Sequence, residues 1–413
     1  MKYCIVPILL ISSWFAISCT RSSASTEDEP RRPYLVVLSL DGFRWDYPEM
    51  YNTPNLDMLA RKGVKAQSME PCFPSKTFPN HYSIATGLYP EHHGIVLNTF
   101  SDPEVGDFKL SDRAAVQDPD FYLGEPIWVT AEKQNVRTAC FYWPGSEAPI
   151  EGIYPSIWKK YDQSVSYESR IDSVVSWLKK PEGTRPHLIM TYFDEPDHAG
   201  HANGPFATET KAVIERVDSL VGVLGAKLEN LDIADSINFV VVSDHGMGQI
   251  TSHKSIALAN FINEEWVEKI RGGNPVVMLK PFDNYVDTVW RVLSSIPHVK
   301  VYSRMNMPEE YHYTESNRIL DYVCVADSGY ALYWKCSNFT DGGTHGYDPA
   351  NSDMHAIFYG EGPAFKKNYE STSSIRNIDL YSMFSEILGI EPAKNDGSID
   401  GVAQFLIDPK RAN

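Results

Sequence analysis

The chain has 413 residues, 43% hydrophobic and 12% aromatic, which is enough for one large α/β domain with an insertion or for two domains. Its 23 Tyr and 9 Trp exclude a disordered chain. With 37 basic and 54 acidic side chains the formal charge is −17 and no long Lys/Arg run appears, so a nucleic-acid polymer is not an expected partner, whereas a small anion held by metal ions is compatible.

The first residues, MKYCIVPILLISSWFAISC, carry one early Lys and then an apolar run, as a signal peptide over 1–19 would. The run is too short, and too closely followed by polar residues, for a transmembrane anchor. Ala16-Ile17-Ser18 before Cys19 has the look of a lipoprotein cleavage box, with ordinary cleavage nearby as the alternative. Either way the expected location is outside the cytoplasm, periplasmic or membrane-anchored through a lipid on Cys19. Residues 20–33 are polar and Pro-containing and read as a flexible tether. Residues 34–410 then form the folded domain. Export puts Cys72, Cys140, Cys324 and Cys336 in an oxidising compartment. Cys324 and Cys336, close together across an expected hairpin, are the expected disulfide, which leaves Cys72 with Cys140; sequence alone settles neither bond.

Short apolar runs alternate with helical stretches. YLVVLSL (34–40) reads as a buried strand ending in Asp41-Gly42. FPNHYSIATGL reads as a helix starting near Thr77, with Pro79 in its first turn, where a missing N–H costs nothing. Free N–H groups at such a start favour a phosphate. TACFYW (138–143), HLIMTYF (187–193) and INFVVVS (237–243) read as further strands. Between the last two, 208–231 has helical periodicity, with Ile214, Val217, Leu220, Val221 and Leu224 on one face. From about 273 to 342, PVVMLK, VKVYS, DYVCVA and YALYW suggest a small β-rich insertion. DLYSMFSEILG (379–389) reads as a last helix closed by Gly389. The alternation predicts a mostly parallel sheet with helices on both faces.

Three of the four central strands end in carboxylates: Asp41, then Asp194 and Asp197, then Asp244. Open parallel sheets bind ligands beyond the carboxyl ends of their strands. Asp244 is followed by His245; Asp197 and His201, like Asp194 and His198, stand four apart, one helical turn. His345 sits between glycines, which let a backbone approach a ligand closely. Asp and His without Cys suit Zn2+, ahead of Mn2+ or Fe, and the count allows two sites of about three protein ligands each.

Several segments together carry a family resemblance: LSLDGFRWDY, FPSKTFPNHYSIATGLYPEHHGIVLN, GEPIWVTAEKQ, FYWPGSE, FDEPDHAGHANGP, VVSDHGM and GTHGYD with DMHAIFYGEGPAF, in order from about 34 to 390. The chain resembles an exported bacterial member of the nucleotide pyrophosphatase/phosphodiesterase family, in the alkaline phosphatase superfamily. The resemblance implies an alkaline-phosphatase-like α/β/α sandwich and two Zn2+ per chain. One would take Asp197, His201 and His345; the other would take Asp41, Asp244 and His245, with Thr77 at this second metal. Asp194 and His198 would then lie outside the ligand sets.

EPCFPSKTFPNHYSIATG offers Cys72, Ser75 and Thr77 as nucleophiles. Cys72-Phe73-Pro74-Ser75-Lys76 nearly matches the sulfatase pattern Cys-x-Pro-x-Arg, in which a Thr-Gly pair follows nine residues on. Counting back nine from Thr86 reaches Thr77, not Cys72. Thr77 therefore takes the nucleophile position, and Cys72 is expected to be buried or disulfide-bonded. The resemblance implies in-line displacement by Thr77 through a phosphothreonine intermediate, with Asn98 holding a non-bridging oxygen. It also implies that Phe78 and Tyr161 flank a nucleobase, with Leu110, Trp143 and Tyr192 near that pocket. The substrate would be a small nucleotide phosphodiester or pyrophosphate, cleaved to a nucleoside monophosphate. One departure keeps an alternative open. Some nucleotide-preferring relatives have a base-contacting Lys after the Asn, where DRAAVQDP has Ala and Val. Glycerophosphocholine or a lysophospholipid headgroup diester is that alternative. No protein partner is expected.

Overall fold

The structure is a computed structural model and describes Met1, residues 32–336 and residues 340–407. The expected signal, Cys19 and the tether up to residue 31 lie outside the described residues. Two sheets organise the rest. In chain order their strands are β1 (Tyr34–Leu40), β2 (Val64–Lys65), β3 (Thr138–Phe141), β4 (Ile157–Lys159), β5 (Leu188–Phe193), β6 (Ile237–Val242), β7 (Val267–Gly273), β8 (Val276–Pro281), β9 (Val299–Ser303), β10 (Tyr322–Ala326), β11 (Phe358–Glu361) and β12 (Tyr369–Glu370). The eight-stranded sheet runs β12-β2-β11-β6-β1-β5-β3-β4. All its neighbours are parallel except where β11 meets β6 and β2.

The main helices are α1 (Pro54–Lys62), α2 (Thr77–Thr86), α3 (Ile127–Lys133), α4 (Tyr167–Leu178), α5 (Asp197–Asn203), α6 (Thr208–Glu229), α7 (Val286–Leu293) and α8 (Asp379–Leu388). Successive side chains of a strand point to opposite faces. Leu35 and Val37 of β1 therefore join one core with α2, α3 and α8, while Val36, Leu38 and Leu40 join another with α1, α4 and α6. This is the expected α/β/α sandwich. The predicted face of α6 is the buried one, Ile214, Val217, Leu220, Val221 and Leu224. Among the described residues no helix is long and apolar enough to cross a membrane.

The satellite sheet is antiparallel, in the order β7-β8-β10-β9, over a small core of its own with α7. It starts at Val267, ahead of the expected boundary, because β7 reads VEKIRGG and shows no apolar alternation. The YALYW strand, observed over Ala331–Tyr333, does not form a hairpin with β10; it pairs in parallel with Ser255–Ala257. The expected Cys324–Cys336 disulfide is corrected for that reason, and the Cys72–Cys140 alternative because both of those thiols are free. Cys324 is a free thiol inside the satellite core, and Cys72 and Cys140 are free and buried. Cys72 Sγ donates instead to Asn377 Oδ1 at 3.2 Å, and Cys140 packs in the α2 face of the large core.

Candidate active site

Strands β1, β5 and β6 are adjacent, parallel and in register, Leu40 beside Phe193 and Ser39 beside Val242. Their carboxyl ends therefore deliver Asp41, Asp197 at the start of α5, and Asp244 to one place. His345 arrives from the other side. The short strand Gly342–Thr344 pairs antiparallel with Gly248–Ile250, just past His245. Its two glycines are needed for close approach: a Cβ on Gly342 would overlap the carbonyl of His201, and one on Gly343 would stand 2.5 Å from that of Gly200. Here the glycines admit a helix rather than a ligand.

The ligand atoms of Asp41, Asp244 and His245 lie within 4.8 Å of one another, as do those of Asp197, His245 and His345. His201 stands at the solvent side of the second group, its Nε2 3.4 Å from Asp197 Oδ1, while His345 Nε2 is 3.6 Å from the same oxygen. Thr77 Oγ1 is 3.2 Å from His245 Nε2. Asp194 is turned away and accepts from Arg170 at 3.2 Å and Tyr167 at 3.1 Å, and His198 is exposed.

The donor set is chemically suited to a cation. Asp41 Oδ1, Asp197 Oδ1 and Asp244 Oδ2 are buried and accept no well-formed hydrogen bond. Leaving such charge unpaired is costly. The Nδ1 atoms of His201, His245 and His345 each meet a backbone carbonyl, of Gly343 at 2.9 Å, Gly246 at 2.8 Å and Ser75 at 2.8 Å. With Nδ1–H donating there, each Nε2 keeps a bare lone pair, the usual arrangement for imidazole ligands. The fields agree. Burial and the nearby Asp244 and Asp197 push the Asp41 carboxyl well above its ordinary value. Burial, His245, Lys76 and His201 hold His345 well below its own, and so neutral. These residues could hold metal ions.

Beside them a cavity of about 310 Å³ is lined by Asp41, Thr77, Asp197, Phe78, Leu110, Tyr161 and Tyr192, all expected site residues. Tyr192 also donates to Asp41 Oδ2 at 2.6 Å. Trp143 does not line it. It is 1% exposed, and its indole donates to His81 O at 3.1 Å in the core. The backbone turns at Tyr142, φ +68°, and the ring that borders the cavity is Tyr142. Arg113 and Glu147, which sequence reasoning also missed, form an ion pair on the cavity wall, with the Arg113 guanidinium carbon 5.5 Å from the centre of the Tyr161 ring. The only signal for them was position: Glu147 closes the family segment FYWPGSE, and Arg113 lies in DRAAVQDP, the stretch that departs from some relatives.

Asn98 Oδ1 accepts from the Phe78 N–H at 3.1 Å. That N–H at the start of α2 is therefore not free, contrary to expectation, and Asn98 keeps its Nδ2 donors. His81, in the position where the sulfatase pattern has Arg, is buried between Ser39 Oγ at 2.8 Å and Thr77 O at 3.0 Å, with Asp244 Oδ2 at 3.2 Å.

A mostly parallel α/β/α sandwich that gathers carboxylates and imidazoles at its strand ends defines an alkaline-phosphatase-like protein. More narrowly, the chain belongs to the type I phosphodiesterase / nucleotide pyrophosphatase family, whose model matches residues 35–348. It is 36% identical over 392 residues to human ectonucleotide pyrophosphatase/phosphodiesterase family member 1, covering 91% of this chain and 42% of that protein. With a mouse bis(5'-adenosyl)-triphosphatase it shares 35% identity over 411 residues, 99% of this chain and 87% of that one. The chain thus spans less than half of the first relative and most of the second. Murine ectonucleotide pyrophosphatase/phosphodiesterase 5, solved in an inactive Thr-to-Ala form in complex with AMP, has a TM-score of 0.87 at 32% identity, covering 91% of this chain and all of that one.

Proposed function

We propose that the chain hydrolyses nucleotide phosphodiester or pyrophosphate bonds and releases a nucleoside monophosphate. The observation that carries this reading is Thr77 Oγ1 at the start of α2, 3.2 Å from His245 Nε2 and on the wall of the cavity that also holds Phe78 and Tyr161. The AMP bound by the murine relative supports it. Asp197, His201 and His345 would hold one Zn2+, and Asp41, Asp244 and His245 another. Zn2+ at such a site lowers the pKa of a neighbouring hydroxyl and offsets charge on a leaving oxygen.

Thr77 Oγ1 attacks phosphorus in line and gives its proton to solvent as the bond to the leaving oxygen breaks, and that oxygen departs as an anion or takes a proton from solvent. Water then cleaves the phosphothreonine and frees the nucleoside monophosphate. Asn98 Nδ2 steadies a non-bridging oxygen; a neutral amide suits the single charge of a diester. Lys76 could have added a cation for monoesters. Its Nζ is spent on Asn274 O at 2.6 Å, and burial lowers its pKa to about 7. Phe78 and Tyr161 would flank the base, since stacking tolerates any base.

The choline-headgroup alternative would need an aromatic cage with a free carboxylate. Glu147 and the Tyr161 face could form one, but Arg113 pairs with the first and lies against the second. This favours the nucleotide. We read residues 34–410 as the catalytic domain of an exported enzyme, with Cys19 as its lipid anchor or lost with its signal.

Thr77→Ala is expected to abolish phosphodiester turnover while zinc stays near two per chain; full activity in that variant overturns the reading. A panel of ATP, bis-p-nitrophenyl phosphate, p-nitrophenyl phosphate, glycerophosphocholine and p-nitrophenyl sulfate, with and without chelator, separates the alternatives. Preferential, chelator-sensitive turnover of ATP is the expected result.

A further inference from the structure

Arg44 follows Asp41 by three residues and is 3% exposed, yet it neither borders the cavity nor belongs to either cluster of candidate ligands. Its guanidinium donates four hydrogen bonds. Nε and Nη2 donate to the two oxygens of Asp46 at 2.8 and 2.7 Å. Nη1 donates to Asp353 Oδ1 at 2.9 Å and to Met247 O at 2.5 Å. The Phe206 ring lies 5.1 Å from the guanidinium carbon.

Each partner belongs to a different segment. Asp46 is in the loop that carries Asp41. Met247 comes two residues after His245. Asp353 lies in the loop that starts at His345, and Phe206 follows α5, which bears Asp197 and His201. The same loops also meet through their backbones: Gly246 N–H donates to Met354 O at 2.8 Å, and Trp45 N–H to His355 O at 3.1 Å. A Cβ on Gly246 would overlap the carbonyl of Asp353.

We propose that Arg44 is a positioning residue that holds the four ligand-bearing segments in mutual register and so sets how tightly the site retains divalent cations. The inference rests on the metal reading given above. It acts through geometry rather than charge: Asp46 and Asp353, which neutralise the guanidinium, are not candidate ligands. Only a planar fork with separate Nε, Nη1 and Nη2 donors reaches three segments at once, so Lys cannot replace it. Residues that orient metal ligands in this way change affinity about 10- to 100-fold when altered.

The test uses Arg44→Lys and Asp353→Asn in the full chain. Zinc affinity is measured by competition with a chromophoric chelator, and thermal unfolding of the metal-free proteins is measured alongside. Zinc binding is expected to weaken about tenfold or more in Arg44→Lys, and less in Asp353→Asn. Excess zinc should restore kcat with KM unchanged. Wild-type zinc affinity in both variants, whatever their thermal stability, overturns the proposal, as does lost activity that excess zinc does not restore. Asp353→Asn carries the test if Arg44→Lys does not fold. A wild-type chain that binds no zinc refutes the metal reading instead.

Discussion

At the scale of single residues, most candidate site positions were legible because their chemistry is stiff. Asp41, Asp244 and His245 stand within three residues of the ends of buried strands, so their place at the sheet's edge follows from where those strands end. Trp143 and Tyr142 were not legible. Both are aromatic, and which faces the cavity depends on a positive φ at Tyr142 that no spacing rule predicts. Tyr192 has two tasks, wall of the cavity and donor to Asp41 Oδ2. A hydrogen bond to a charged group contributes about 1.5–3 kcal/mol. Tyr192→Phe is therefore expected to lower stability by about 1.5–3 kcal/mol and to lower kcat/KM for nucleotide diesters as well, which calorimetry and steady-state kinetics would check.

At the scale of elements, α6 was legible from its periodicity and the four central strands from their continuous apolar runs, because α6 has one buried face and the strands are buried on both. The pairing of short strands was not, since three residues such as Ala331–Tyr333 bind whichever edge the fold leaves open. The expected hairpin failed there, and the disulfide with it. Reductant is accordingly expected to leave Tm unchanged. A second element-level contact joins the turn at 90–93 to the C-terminal segment: His92 Nδ1 lies 2.7 Å from Asp396 Oδ2, with Glu315 3.4 Å from Nε2. Burial would lower the His92 pKa, but the Asp396 hydrogen bond and charge, with Glu91 and Glu315, raise it. A raised folded-state pKa stabilises fully below the unfolded value, about 6.5, and the gain fades as pH rises through the folded value. His92→Gln should thus lower Tm near about pH 5.5 and have little effect near about pH 8.5, in paired thermal melts.

At the scale of the whole molecule, two cores share one sheet, and the candidate site closes only when segments from 41 to 345 meet. Three buried carboxylate oxygens without hydrogen bonds make the metal-free fold expensive. A chelator is expected to lower Tm and added Zn2+ to restore it. Each site should contribute about 2.7 kcal/mol when free zinc is a hundredfold above its Kd. Calorimetry over a zinc series checks this, and a Tm indifferent to chelator would count against the two-site reading.

The sequence by itself determined the α/β/α layering and its four main strands, because apolar runs and periodicity survive without any knowledge of contacts, and matching its spacing to a known family pattern singled out Thr77 as the candidate nucleophile. Only the tertiary structure decided what is made between segments distant in the chain. It set the carbonyl locks on three imidazoles, the turn that hides Trp143, the Arg113–Glu147 pair, the buried free thiols of Cys72, Cys140 and Cys324, and Arg44 at the junction of four loops. Each depends on relative placement over tens to hundreds of residues, and chain-local patterns carry no record of that.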